Sequence, residues 1–99
     1  MIGVHHQDPQ LGDIVRRLRV WSLASWQLGD RIATARRAVQ RLADLAADAD
    51  GRPRVPVPEL PATALADQLV VLDADAAAAG AGEHATVIVG ALAVDLGVD

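Results

Sequence analysis

Apolar residues recur at alternating spacings of three and four positions between residues 11 and 49. Ser25 is the one polar member of the series Leu11, Ile14, Leu18, Trp21, Ser25, Leu28, Ile32, Ala35, Val39, Leu42, Ala46 and Ala49. A repeat of about 3.5 residues places these side chains on one stripe of an α-helix, where other helices can bury them. The pattern therefore predicts one long heptad-patterned helix.

Residues typical of helix ends flank this segment on both sides. Asp8 provides an N-cap acceptor, and Pro9 suits the first helical position because its fixed φ and missing N–H cost nothing there. Gly51 provides the left-handed residue that ends many helices, and Pro53 follows it as a stop. The first helix is predicted over about residues 9–50, which at 1.5 Å per residue makes it about 60 Å long.

Gly29 is the main objection to a continuous helix. Glycine costs about 1 kcal/mol inside a helix, and Gly29 followed by Asp30 could form a C-cap and then a new N-cap. However, Leu28 and Ile32 continue the apolar stripe without a change of phase. We therefore expect one helix through Gly29, kinked at most.

The second half of the chain begins with a connector and continues with two shorter segments. Residues 51–61 read GRPRVPVPELP, and the prolines predict an extended connector because each one removes a backbone donor and restricts its predecessor. A docking motif for a proline-binding domain is the alternative function of this connector. A second helix is predicted over 62–79, with Gly80 as its stop and with Leu65, Leu69, Leu72 and Ala76 on one stripe.

The last segment, about residues 83–97, fits two kinds of structure. Its apolar residues Ala85, Ile88, Val89, Leu92 and Leu96 fit one face of a helix, whereas the β-branched run at 86–89 is typical of a strand. A lone strand would leave its edges unpaired, so we predict a helix. The fold class is thus all-α, with the three helices packed as a small bundle in one domain of residues 1–99 and a flexible N-terminus at 1–8.

Composition limits the classes of protein to consider. The chain has 99 residues, a net charge of −4 and no Cys, Phe or Tyr, which excludes disulfides, thiolate metal sites and cysteine nucleophiles. Its longest apolar run, residues 85–94, is far shorter than the roughly 20 residues that cross a bilayer. No signal peptide is recognisable at the N-terminus, so we expect a cytoplasmic protein without membrane contact.

The two halves of the chain carry opposite charge. Residues 10–49 hold seven arginines and four aspartates, a balance of +3, whereas residues 50–99 hold two arginines and eight acids, a balance of −6. If the second helix returns antiparallel to the first, we expect oppositely charged side chains to meet between them. The expected partners are Asp73 and Asp75 on one side and Arg36, Arg37 and Arg41 on the other.

Acidic residues also crowd the C-terminal end of the first helix, where the helix dipole disfavours negative charge. Asp44 and Asp48 are the main examples. Two sources of compensation are open: Arg52 and Arg54 close by in the connector, or Arg16 and Arg19 of a second copy packed antiparallel. Either would fix the register of its neighbours more than it would stabilise them.

The middle of the first helix predicts a binding surface. Val20, Trp21, Leu23, Trp26 and Leu28 point in nearly every direction, so one neighbouring helix cannot cover them all. An uncovered apolar patch with two tryptophans is typical of an interface. We expect a homodimer, or a complex with another helical protein, with interface residues Leu11, Ile14, Leu18, Trp21, Ser25, Trp26, Leu28 and Ile32.

Candidate catalytic and metal-binding residues do not form a recognisable pattern. Ser22 and Ser25 lack the strained turn of a nucleophile, and Asp73 and Asp75 diverge by about 200° on a helix. The remaining candidates are His5, His6 and Asp8 in the N-terminal tail, Asp67, and Glu83 with His84 at the start of the last helix. We therefore predict no catalytic residues, metal, cofactor or small-molecule substrate.

Two functions follow from these observations. The first is a non-catalytic interaction or assembly protein that binds itself or a helical partner through the first helix. The second is a small regulator that contacts nucleic acid through the arginines of that helix, although a net charge of −4 and the lack of stacking aromatic residues weaken it.

Overall fold

Five α-helices and one 3₁₀ turn form residues 9–98, which are the residues that the computed structural model describes. The helices are α1 (Pro9–Arg19), α2 (Leu23–Trp26), α3 (Arg31–Asp50), α4 (Leu65–Ala78) and α5 (Gly82–Leu96), and the 3₁₀ turn Ala62–Ala64 precedes α4. The all-α class is confirmed for this part of the chain. The flexible tail, the Asp8 cap and the histidines at 5 and 6 lie outside the described residues.

The prediction of one helix over 9–50 is wrong. The chain leaves α1 after Arg19, forms the single turn of α2, and reverses at Gly29, which has a left-handed φ of 56°. Asp30 then precedes α3, so the Gly29–Asp30 pair is the boundary that the alternative interpretation describes. The longest dimension of the molecule is 41 Å, too short for a helix of about 60 Å.

The apolar period survives this reversal because α1 and α3 face the same core. Leu11, Ile14 and Leu18 are buried on α1, and Val39 and Leu42 are buried on α3. Two amphipathic helices folded onto one core each keep a 3.6-residue period, and the apolar residues between them fill the gap in the pattern. The heptad spacing thus reports burial on both sides of a turn.

The connector explains the direction of α4. Helix α3 ends at Gly51, whose φ of 68° allows the amide of Arg52 to reach the carbonyl of Ala47 at 2.8 Å. The connector then runs back along α3, so that Arg36, near the start of α3, contacts Glu59 and Leu60. Helix α4 therefore begins beside the N-terminal half of α3 and runs parallel to it, so the antiparallel return on which the expected charge pairs depended does not occur.

The two C-terminal helices form where the sequence predicts them. A turn at Gly80 joins α4 to α5, and residues 86–89 are helical because α5 continues through them. Helix α5 runs parallel to α1, since the Arg17 guanidinium donates to the carbonyl of Val98 at 3.2 Å. It runs antiparallel to α3, since Leu45 shares a cleft with Ile88 and Thr34 shares one with Asp95.

The core lies between α1, α3, α4 and α5 and is built from few large side chains. The largest fully buried residues are Trp26, Ile14, Leu18, Leu42, Leu65, Leu69, Val39 and Val89, and alanines fill much of the remainder. Burial of a large apolar side chain such as Leu contributes ~1.5–3 kcal/mol to stability, and alanine contributes far less because it buries less apolar area. This core is therefore thin. No helix of the described residues is both long and apolar enough to span a bilayer.

Candidate interaction surfaces

Both tryptophans belong to the turn between α1 and α3. The Ser22 hydroxyl accepts a hydrogen bond from the Ser25 amide at 3.1 Å and so caps α2, which directs Trp26 into the core with 1% exposure. Trp21 packs edge-to-face on Trp26 with ring centroids 4.9 Å apart. The Arg31 guanidinium covers the other face of Trp21 at 4.3 Å from its ring centroid, an arrangement that favours cation–π attraction.

The structure therefore buries half of the eight predicted interface residues inside the molecule. Leu11, Ile14, Leu18 and Trp26 are buried, Trp21, Ser25 and Ile32 are half-buried, and Leu28 is exposed. The large apolar side chains that this region does present to solvent are Val20, Leu23 and Leu28. A partner could reach the buried residues only by opening the fold; these are Leu11, Ile14, Leu18 and Trp26.

A row of polar side chains on α3 binds the connector. Arg36, Gln40, Asp44 and Asp48 are spaced four residues apart and so lie along one side of the helix. The twelve steps along the chain from Arg36 to Asp48 span about 18 Å of α-helix, and the six steps from Arg54 to Leu60 span about 19 Å in a polyproline-like chain. The two segments thus match in length, and each connector residue advances along about two residues of α3.

Gln40 lies at the centre of this row and pairs with the connector as a backbone segment would. Its amide nitrogen donates to the carbonyl of Val55 at 3.1 Å, and its amide oxygen accepts from the N–H of Val57 at 2.8 Å. The same nitrogen donates to Asp44 at 2.9 Å. Pro56, between the two contacts, has no N–H to satisfy. Gln40 therefore binds the Val55 carbonyl and the Val57 N–H, the two groups that a neighbouring β-strand would otherwise bind.

Arginine and a second glutamine hold the far end of the connector. Arg36 donates to the Glu59 carboxylate at 2.9 Å and to the carbonyl of Leu60 at 2.8 Å. Gln68, in the first turn of α4, donates to the carbonyl of Pro58 at 3.1 Å. The prolines have no backbone donors, and side chains of α3 and α4 instead satisfy the carbonyls between them.

The near end of the connector neutralises the C-terminal end of α3. Arg54 contacts both carboxylate oxygens of Asp48, at 3.0 and 2.6 Å, and lies 3.8 Å from Asp44, while Arg52 pairs with Asp50 at 3.1 Å. The structure thus shows the local compensation of Asp44 and Asp48 by Arg54. The hydrogen bond from Arg54 holds the pKa of the Asp48 carboxyl below its usual value of 3.8. Asp48 in turn raises the pKa of Arg54.

The other predicted charge partners are dispersed over the surface. Arg16 pairs with Asp13 within α1, and Arg19 pairs with Asp67 of α4 at 2.9 Å. Because α4 runs parallel to α3, Asp73 and Asp75 lie beyond the level of Arg36, which pairs with Glu59 instead. On α4, Asp73 is buried and Asp75 is exposed. On α3, Arg37 donates to the Thr34 hydroxyl at 3.2 Å. Arg41 forms no ion pair within residues 9–98.

The largest groove lies between α1 and α4 and offers little for catalysis. It encloses about 840 Å³, and its lining is Pro9, Leu11, Gly12, Val15, Arg16, Arg19, Val20 and Val70. The polar side chains there are two arginines, with neither a nucleophile nor an acid–base pair. Within the described residues, no three His, Cys, Asp or Glu side chains come together as metal ligands would.

The outer faces of α4 and α5 expose large apolar side chains beside a few charged ones. On α4, Val71 is 57% exposed, and Leu60 of the connector, 41% exposed, lines a shallow cleft with it. On α5, Val87 is 70% exposed and Val94 is 63% exposed. The sequence could have predicted these surfaces. A helix with one side in water normally has a polar face and an apolar face, and the sequences of α4 and α5 do not separate the two.

Comparisons of the chain with protein-family models, with curated proteins and with solved structures find no match.

Proposed function

We propose that this chain is a non-catalytic assembly protein that associates with a second copy of itself through apolar helical faces. One observation carries this proposal: α4 and α5 expose four valines, Val70, Val71, Val87 and Val94, beside a few charged side chains. Helix α1 provides the contrast within the same molecule, because its outer side carries Asp13, Arg16 and Arg17. Large apolar side chains grouped on an exposed helix face are typical of a protein–protein interface.

Association through α4 or α5 leaves the core intact. Val71, Val87 and Val94 already face solvent, so a second chain can cover them while the buried stripe of α1 and α3 stays closed. Association through the predicted surface would instead require Trp26 to leave the core. The free energy of that opening makes the outer faces of α4 and α5 the better candidates.

The arginines support assembly over nucleic-acid binding. Five of them pair with carboxylates of their own chain: Arg16, Arg19, Arg36, Arg52 and Arg54. Binding to phosphates gains its free energy from cations that are available to replace counterions, and these guanidinium groups already have acidic partners. A net charge of −4 adds repulsion from the nucleic acid.

Sedimentation equilibrium of the full chain between about 10 μM and 1 mM tests the proposal. We expect the average mass to rise from 10.3 kDa toward twice that value as concentration increases. In parallel, fluorescence anisotropy of a labelled random duplex DNA should not change on addition of the protein at low salt. A constant mass of 10.3 kDa together with salt-sensitive DNA binding would replace the proposal with the nucleic-acid alternative.

A further inference from the structure

We infer that α5 is the dimerisation helix and that two copies pair through it antiparallel, about a two-fold axis between Gly90 and Ala91. This inference rests on the proposed function and specifies its surface. The contacting surface is the outer α5 stripe, defined here as Val87, Ala91 and Val94. The occupant of this surface is therefore the same stripe of a second copy.

The spacing of the stripe suits two helices packed side by side. Val87, Ala91 and Val94 follow one another at intervals of four and three residues, so they lie on one side of α5. All three are exposed, and the two valines are at least 63% exposed. The small residue Ala91 near the middle allows the two helix axes to come close, since side-chain size at the contact sets that distance, whereas Gly90 faces the Gln10 side chain of α1.

A two-fold axis between Gly90 and Ala91 makes this stripe complementary to itself. Val87 and Val94 are equally far from the axis, so each valine of one copy meets the other valine of the second copy. The two Ala91 residues then lie beside each other near the axis, and two valine pairs flank them. The two copies therefore make identical contacts, as a two-fold dimer requires.

Charges beside the stripe favour the antiparallel direction. Arg41 on α3 and Ile88 on α5 line common clefts, and Asp95 lies near the C-terminal end of α5 on the same side. Within residues 9–98, neither Arg41 nor Asp95 forms a hydrogen bond or an ion pair through its side chain. In the antiparallel pair, Asp95 of the second copy lies level with Thr86, within about 3 Å along the axis of Ile88 and hence beside Arg41.

A parallel pair has no such complementarity. It would place Asp95 of the second copy on the side of the helix pair that lies away from Arg41, because a two-fold axis parallel to the helices exchanges the two sides. Opposite charges at the edge of an apolar contact set direction and register more than affinity. Two Arg41–Asp95 pairs, one on each side of the axis, therefore select the antiparallel dimer.

The size of the contact predicts a weak dimer. Helix α5 has 15 residues and is about 22 Å long, so one helix pair buries less than the roughly 800 Å² per partner of a stable interface. A dissociation constant on the order of 10–100 μM is expected. This value lies within reach of sedimentation at the concentrations given above.

Disulfide trapping reports the direction of pairing, because the chain contains no cysteine of its own. Chains carrying Val87→Cys and chains carrying Val94→Cys are mixed and treated with a mild oxidant. The antiparallel dimer predicts a cross-link between the two variants, since these positions face each other, and little cross-linking of either variant alone, since identical positions are about 10 Å apart. Equal cross-linking of each variant with itself would overturn the antiparallel arrangement.

Sedimentation of substituted full-length chains tests the surface itself. Val94→Glu should raise the dissociation constant about tenfold or more, whereas Val20→Glu, the same change at an 82% exposed position outside the stripe, should leave it unchanged. Arg41→Asp and Asp95→Arg should each weaken the dimer, and their combination should restore it. Both valines are exposed, so these variants should fold, which circular dichroism checks.

The possible failures are distinguishable. Association that persists in Val94→Glu but is lost in Val71→Glu would overturn the α5 dimer and leave the proposed function standing, with α4 as its surface. Absence of association at any concentration would overturn both. Failure of the double charge exchange to restore the dimer would overturn the Arg41–Asp95 pairing and, with it, the antiparallel register.

Discussion

Gly29 is the residue that lets the chain reverse between α1 and α3. Its φ of 56° lies in the left-handed region, where the Cβ of any other L-residue approaches the backbone. An added Cβ would meet no atom within 4 Å, so the requirement for glycine comes from the backbone conformation alone. The reversal in turn brings Trp26 into the core, and the fold of the N-terminal half thus depends on one backbone angle.

Replacement of Gly29 by alanine should destabilise the protein by about 1–2 kcal/mol, the free energy of placing an L-side chain in the left-handed region. Gly12 provides the matched control, because it lies inside α1 and an added Cβ there also meets nothing within 4 Å. Gly12→Ala should stabilise the helix by about 0.5–1 kcal/mol. Urea unfolding of the three proteins measures both values, and equal effects of the two substitutions would contradict this account of the turn.

Asp48 provides a second prediction at the residue scale, and it concerns pH. Because Arg54 lowers the pKa of Asp48 in the folded state, the folded protein binds this proton less readily than the unfolded chain does. The contribution to stability is therefore complete above the usual value of 3.8 and is lost as the pH falls through the lower, folded pKa. Both side chains are about half exposed, so solvent screening keeps this contribution small.

The urea midpoint of Asp48→Asn should accordingly fall below that of the natural sequence at pH 7, and the two midpoints should converge toward pH 2. Asp75→Asn is the control for the loss of a surface carboxylate, because Asp75 forms no ion pair within residues 9–98. A difference for Asp48→Asn that stayed constant from pH 7 to pH 2 would show that the ion pair with Arg54 does not stabilise the fold.

At the scale of elements, the sequence predicts the ends of helices better than their directions. Gly51 and Gly80 end helices where the sequence predicts, and the helix over 83–97 is confirmed by α5. The break at Gly29 was not predicted, because a period of about 3.5 residues is the same for one long helix and for two helices that share a core. The direction of α4 depends on hydrogen bonds of Gln40 and Arg36 with the connector, and neither spacing nor composition reveals them.

Gln40→Ala tests whether the connector is held by these side-chain bonds. The substitution removes the donor to Val55 and the acceptor for the Val57 amide, so the connector should detach locally and stability should fall by about 1–2 kcal/mol. Hydrogen exchange at the Val57 amide should accelerate at least tenfold. Gln68→Ala, which removes one bond to Pro58, should leave that amide protected, and equal protection in both variants would contradict the role of Gln40.

At the scale of the whole molecule, a thin core and uncovered outer faces belong together. The core contains one buried tryptophan and many alanines, so the closed chain gains little free energy from burial on its inner faces. Val71, Val87 and Val94 carry apolar area that the single chain leaves in water. Association of two chains would bury part of this area and add to the stability of the folded state, since the unfolded chain cannot form the same contact.

The melting temperature should therefore rise with protein concentration. At a total concentration of about ten times the dissociation constant, pairing with a second copy stabilises the folded state by about 1 kcal/mol, which corresponds to about 4–8 °C for a domain of this size. Differential scanning calorimetry of the full chain from about 10 μM to 1 mM measures the shift. Val94→Glu should abolish the concentration dependence and leave the melting temperature at low concentration unchanged, because Val94 makes its contact only in the dimer. Val20→Glu should retain the full shift, and a melting temperature independent of concentration in all three proteins would show that the outer faces do not pair.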